Sequence, residues 1–332
     1  MKAETDNFRS SLMAALAKRP LPIIRPAAAQ VLTMLANPNT NVEAIANTIL
    51  HDQAFTTRVL HVANSAYYRR KPEKITTVTQ AVLMTGFNTL RDITLAAEFT
   101  ELVQKRLPGA VNLRRLLAKA FVAGHQAHTL GDAIGLPESE ALFTTALLES
   151  VGEFALAVYL PKVFVKIDDT IRVFGAPYVE AHLKVTGMTP HEVTEIVFKA
   201  LDLPEDLLLP PPDRDSQLQW TSTYQRQALV HLANICATNF FSSESPQIVA
   251  EFKEIMGRFA EVTGLPQTEL ESLLSEAFNT AVGYGSHVDL DPACFGLDGN
   301  TSPLSMRHTF IGLCLELVEK SAGGEIGDDQ FS

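Results

Sequence analysis

Basic side chains are in short supply. The chain of 332 residues carries 27 Lys and Arg against 38 Asp and Glu, a net charge of −11. Broad binding to nucleic acid or to anionic membranes needs positive surface, so both are disfavoured as partners. Cysteine is sparse too. Cys236, Cys294 and Cys314 are far apart, odd in number and set in no CxxC or Cys/His ligand spacing. That pattern indicates reduced thiols in a reducing compartment. No uncharged apolar run reaches the about 18 residues of a membrane span. Residues Met1 to Ser10 lack the basic-then-apolar order of a signal peptide. A cytoplasmic location is expected. Also missing are GxxxxGK[ST], GxGxxG after a strand, GxSxG and HExxH. The commonest phosphate-binding loops, nucleophile elbow and zinc-protease signature are thereby excluded.

What is present is helical periodicity, with no convincing set of alternating strands. Val31, Leu32 and Leu35 share a face before Asn37-Pro38-Asn39 breaks the run. Asn41 can cap a helix whose apolar face is Val42, Ile45, Ala46 and Ile49. Ala54 to Ala63 is the next helix. Thr79 to Met84 and Leu90 to Leu102 follow, with Gly86 as a glycine stop between them. Leu107-Pro108-Gly109 reads as a break between lobes. Beyond it, helices are predicted over Leu113–Ile134, Glu138–Tyr159 (one or two), Val163–Phe174, Tyr178–Val185, Pro190–Leu201 and Thr223–Phe240. Ile248–Thr263 and Thr268–Val282 form a last pair. Gly323, Gly324, Gly327 and Asp328-Asp329 suggest a disordered tail. The resulting fold class is all-α. Its expected units are a helical lobe over 1–106, a second over 107–242, and a helical extension with a flexible tail over 243–332.

Several polar groups could carry chemistry. His51-Asp52 is the single His-Asp dipeptide. An imidazole beside a carboxylate suits a divalent ion, but Asp52 stands where a helix cap belongs. His125, His128 and Asp132 can share a helix face. A metal there would need further donors, and the next helix offers Glu149 and Glu153. The bland reading of the three is a partly exposed polar face. His182 and His191 flank Gly187-Met188-Thr189-Pro190 and suit hydrogen bonds at helix ends. His231 and Asn234 suit structural hydrogen bonding. Tyr67-Tyr68 beside Arg69-Arg70 could stack a base, though one such patch on an acidic chain is slight.

One run of residues is more specific. It comprises Leu21-Pro22, Asn37-Pro38, Ile45-Ala46, Asp52 to Leu60, Ala63-Asn64-Ser65-Ala66-Tyr67-Tyr68, Ile75 to Val82, Gly86-Phe87 and Leu90-Arg91. This order resembles the HDOD family of bacterial signalling modules. The resemblance covers residues 15 to 240 and implies a two-lobed helical architecture whose second lobe is similar in fold to HD-domain phosphohydrolases. It also implies where the metal ligands of those hydrolases would fall. The metal-binding His-Asp becomes Glu149-Ser150, the earlier histidine falls near Lys119 and the late aspartate near Asn234. His191 matches a histidine common in the family's loop-to-helix segment.

A hydrolytic metal site needs several imidazole and carboxylate donors on one ion. Lys119 would put a cation where the metal should sit, and Ser150 and Asn234 bring no compensating charge. Glu149 is therefore expected to pair with Lys119, and Glu149→Ala to harm stability. The expectation is a chain that is not an enzyme and needs no cofactor, acting in regulation through a protein partner. Asn64, Ser65, Tyr67, Tyr68 and Arg91 form its candidate interaction patch, although Asn64 and Ser65 could simply turn the helix end. The alternatives are a sensor that holds a nucleotide or other small molecule in the vestigial pocket and, behind it, an active metal-dependent phosphohydrolase.

Overall fold

The computed structural model describes residues 2–18, 26–35, 40–64, 74–84, 86–87, 90, 94, 98, 111–137, 139–201, 203, 207–213, 221–242, 245–287 and 290–295. No strand occurs among them. The helices are α1 (Lys2–Lys18), α2 (Pro26–Leu35), α3 (Val42–Leu50), α4 (Gln53–Ala63), α5 (Val111–Ala133) and α6 (Ser139–Glu149). They continue with α7 (Val151–Tyr159), α8 (Pro161–Arg172), α9 (Tyr178–Thr186), α10 (Pro190–Leu201), α11 (Ser222–Phe240), α12 (Pro246–Thr263) and α13 (Gln267–His287). A short helical segment spans 78–84, and a 3-10 turn spans Pro292–Phe295.

Local chemistry explains where these helices begin. Asn41 Oδ1 accepts from Glu43 N at 2.9 Å, and Asp52 Oδ1 accepts from Phe55 N at 2.9 Å. Asp52 is thus the cap of α4, the role its position suggested, while His51 is exposed. Two reciprocal capping boxes start helices further on. Thr77 and Gln80 open the 78–84 segment: Gln80 N donates to Thr77 Oγ1 at 3.1 Å, and Thr77 N donates back to Gln80 Oε1 at 3.3 Å. Thr189 and Glu192 open α10 in the same way, at 3.2 and 2.7 Å, with Pro190 at the first helical position. Gly86 has φ +80, a left-handed conformation that glycine adopts at little cost.

Burial decides the rest. Helix α5 is the central element and packs against α6, α11 and α13. Every residue from Leu116 to Ala127 is buried, as is every residue from Ala141 to Leu156. A helix buried all round has no polar face, so no amphipathic stripe marks these segments. Ala141–Tyr159 reaches a mean hydropathy of 1.5, yet 89% of it is buried in the protein core and it carries Glu149 and Glu153.

Helix α1 has no counterpart among the helices expected from the sequence. It lies against α7, α9 and α10 of the second lobe, anchored by buried Leu12 and Leu16 with Phe8 beside them. Helix α13 runs past the predicted Val282 to His287. The expected break at Leu107-Pro108-Gly109, the exposed stretch before Thr221 and the glycine-containing tail lie outside the described residues, apart from Pro210 to Asp213.

Candidate functional site

The site grows out of a break in one apolar stretch. Helix α6 ends at Glu149, Ser150 turns the chain, and α7 begins at Val151. Glu149 and Glu153 therefore sit on different helices and face different neighbours. Lys119, on α5, forms its ion pair with Glu153, and both side chains are more than nine-tenths buried. This corrects the expected Lys119–Glu149 pair. The turn at Ser150 aims Glu149 at α10 instead, where its Oε1 meets His191 Nδ1 at 2.8 Å.

Around Glu153 the cluster is closely built. The Tyr178 hydroxyl donates to Glu153 Oε2 at 3.0 Å, and His182 Nε2 lies 3.8 Å from Oε1. The Lys119 ammonium also sits 4.8 Å from the centre of the Tyr178 ring, a cation–π contact. Burial alone would raise the Glu153 pKa. The Lys119 charge, with His182 second, outweighs it and holds the carboxylate at about 2. The Tyr178 hydroxyl is pushed well above its ordinary range, by burial first and by Glu153 second.

A second pair lies alongside. Burial pulls the His191 pKa down, but the bond to Glu149 and the charges of Glu149 and Glu195 win, so the net shift is upward. Thr194 Oγ1 donates to Glu149 O at 2.7 Å and ties α10 to the end of α6. Asn234 is buried and donates Nδ2 to Ala146 O at 3.1 Å and to Val230 O at 3.0 Å, with Ser150 Oγ 3.5 Å from its Oδ1. The four positions matched to metal ligands thus lie in one buried region. Each is engaged with protein partners: Lys119 with Glu153, Glu149 with His191, and Ser150 with Asn234.

These groups do not fit a hydrolytic metal centre. A divalent ion needs several carboxylates and imidazoles converging on one point, with no competing cation there. Here the carboxylate beside Lys119 is already neutralised by an ammonium, and the position after Glu149 is a serine. Among the described residues, no three His, Cys, Asp or Glu side chains are grouped to hold an ion. In the other candidate set His125 differs from the expectation, while His128 is partly exposed and Asp132 exposed. His125 is wholly buried against Phe143 rather than partly exposed, with ring centres 4.9 Å apart. Burial, and then the charge of His128, lower its pKa to about 3, which keeps the ring neutral. Asp132 alone of that set is exposed.

The expected interaction patch is described at one position. Asn64 bridges α4 to the following strand of chain: Nδ2 donates to Leu60 O at 2.8 Å and to Ile75 O at 2.7 Å, and Oδ1 accepts from Ile75 N at 2.8 Å. It is a backbone clamp. Ser65, Tyr67, Tyr68 and Arg91 lie outside the described residues. Sequence reasoning passed over exposed apolar side chains, among them Leu83 at 67% and Met84 at 39% exposure. Two such residues in a capped amphipathic segment were the signal for them. It also passed over Tyr178 and the role of Glu153, since nothing local ties either to Lys119.

The HDOD domain matches residues 21–210 of the chain. No curated protein matches it. An HDOD domain protein of unknown function from Geobacter sulfurreducens is similar in structure at a TM-score of 0.63 and 19% identity, over 86% of this chain and 98% of that one. A Shewanella amazonensis SB2B protein provisionally described as a phosphohydrolase matches at 0.60 and 20% identity, over 84% and 98%. A Marinobacter aquaeolei VT8 protein provisionally described as a signal transduction protein matches at 0.54 and 15% identity, over 88% of this chain and 66% of that one. Matched over more than half its length, the chain belongs to the HDOD domain family.

Proposed function

We propose that the chain is a non-catalytic regulatory module of bacterial signal transduction that works in the cytoplasm through contact with a protein partner. One observation carries the reading. The ammonium of Lys119 sits within the region matched to the hydrolase metal ligands, and its charge is used up by Glu153. A centre arranged in this way holds helices α5, α7 and α9 together, with an ammonium where an ion's positive charge would have to stand. The fold is then a scaffold, and its function is read at its surface. Leu83 and Met84, exposed on the segment opened by Thr77 and Gln80, supply an apolar contact of the kind partner helices use.

Two measurements test this. The purified chain, supplied with manganese or iron, is expected to show no turnover of phosphomonoesters or phosphodiesters, and steady turnover would restore the hydrolase reading. Partners cross-linked to the wild-type chain in cells are expected to be lost from Leu83→Glu while its thermal melt is unchanged. Retention of every partner by Leu83→Glu would remove that surface from the account.

A further inference from the structure

Beside the Lys119–Glu153 pair a cleft opens between α5, α8 and the end of α11. Its free interior of about 40 Å³ has room for two or three waters or one small ion. A nucleoside or sugar ring would not fit inside. Phe164, Ile167 and Phe241 make its apolar walls, and the charged groups on it are Arg115, Lys119, Arg172, Glu153 and Asp168.

Those charges do not cancel. Glu153 is occupied by Lys119 and Tyr178. Asp168 is occupied by Arg172, at 3.2 Å from Nε to Oδ2. Arg115 is left over. Among the described residues no carboxylate lies within ion-pair distance of it. Its guanidinium donates to Phe241 O and rests 5.7 Å from the centre of the Phe241 ring. It is half-buried and faces a second guanidinium: burial first, and Arg172 second, weaken its hold on its proton, with Asp168 acting the other way. A desolvated cation facing another cation is costly unless something negative enters. The chain as a whole repels anions at −11, which makes a locally cationic cleft the more specific.

We propose that this cleft binds a small tetrahedral oxyanion, either free phosphate or the phosphoryl end of a larger ligand, between the guanidiniums of Arg115 and Arg172 with Lys119 behind them. Guanidinium forks match two oxygens of such a group at once, and the open side of the cleft leaves the remainder of an ester in solvent. Burial pushes the Asp168 carboxyl up, against the pull of Arg172, Arg115 and Lys119. The site does not depend on the docking reading, since a chain that loses its partner through Leu83→Glu keeps all these groups.

The test is calorimetric titration of the full chain with inorganic phosphate and, separately, with phenyl phosphate, at ionic strength matched with sodium chloride. Saturable binding of at least one is expected. Arg172→Gln should weaken it at least about tenfold, the loss of one charge-assisted hydrogen bond. Arg172 is 36% exposed, so this variant should melt like wild type. Arg115→Gln, checked for folding by circular dichroism, should do the same. Tighter binding of the ester would identify the ligand as a phosphoryl group on a larger molecule, and equal or weaker binding as the free ion. No saturable heat above the chloride control, or equal affinity in Arg172→Gln, would overturn the proposal.

Discussion

Glu153 is the residue on which the buried centre turns. Removing one member of a buried ion pair leaves the other charge uncompensated, at a cost of about 3–5 kcal/mol. Glu153→Gln should therefore lower stability by about that amount in denaturant unfolding, whereas Lys119→Met with Glu153→Leu should recover most of it. A similar loss in the double variant would mean that the charges are not what the site needs. Glu149 has a different partner and gives a different readout. The folded pKa of His191 is raised above its ordinary 6.5. Its contribution to stability is thus fully present below about 6.5 and is lost as pH rises through the folded value. Glu149→Ala should flatten that alkaline slope, and an unchanged slope would break the assignment. The individual groups were legible as types: Lys119, Glu149, Ser150, Asn234 and His191 were all named from sequence. Their pairing was not, because it depends on the turn at Ser150, and nothing in the composition of Ala141–Tyr159 announces where that apolar stretch breaks.

Helix contacts show the same division. Caps are written locally, so Asn41 and Asp52 could be assigned from the chain and do cap α3 and α4. Close approach between distant helices is not written locally. Gly152 on α7 meets α10 at Thr194, where an added Cβ would stand 2.6 Å from Thr194 Oγ1 and 2.9 Å from Thr194 N. The backbone atom cannot rotate away, so Gly152→Ala must push α7 from α10, at about 1–3 kcal/mol. It should also strain the Thr194–Glu149 bond and with it the His191 pair. A variant with wild-type stability and the wild-type alkaline slope would show that the interface yields easily. Helix α1 escaped notice for a related reason. Phe8, Leu12 and Leu16 recur every four residues, but they are diluted by polar neighbours, and the surface that buries them belongs to α7, α9 and α10.

Across the whole molecule, buried titratable groups should shape stability with pH. His125 is held neutral with a pKa of about 3 against an ordinary 6.5. The unfolded chain takes up that proton first, so stability falls as pH drops below about 6.5. Glu153, at about 2 against 4.5, adds a further loss as pH falls from about 4.5 towards 2. With His191 acting on the alkaline side, unfolding free energy should peak near pH 6.5, and His125→Phe should lessen the decline just below the peak. A decline unchanged by that substitution would mean His125 is not buried as described. We propose that the Lys119–Glu153 centre is structural in place of catalytic. It is tested most directly by the metal content of the full chain, purified without chelator or affinity-tag metal. The account predicts iron, manganese and other divalent ions far below one equivalent; one or two equivalents, lost on Glu153→Gln, would contradict it.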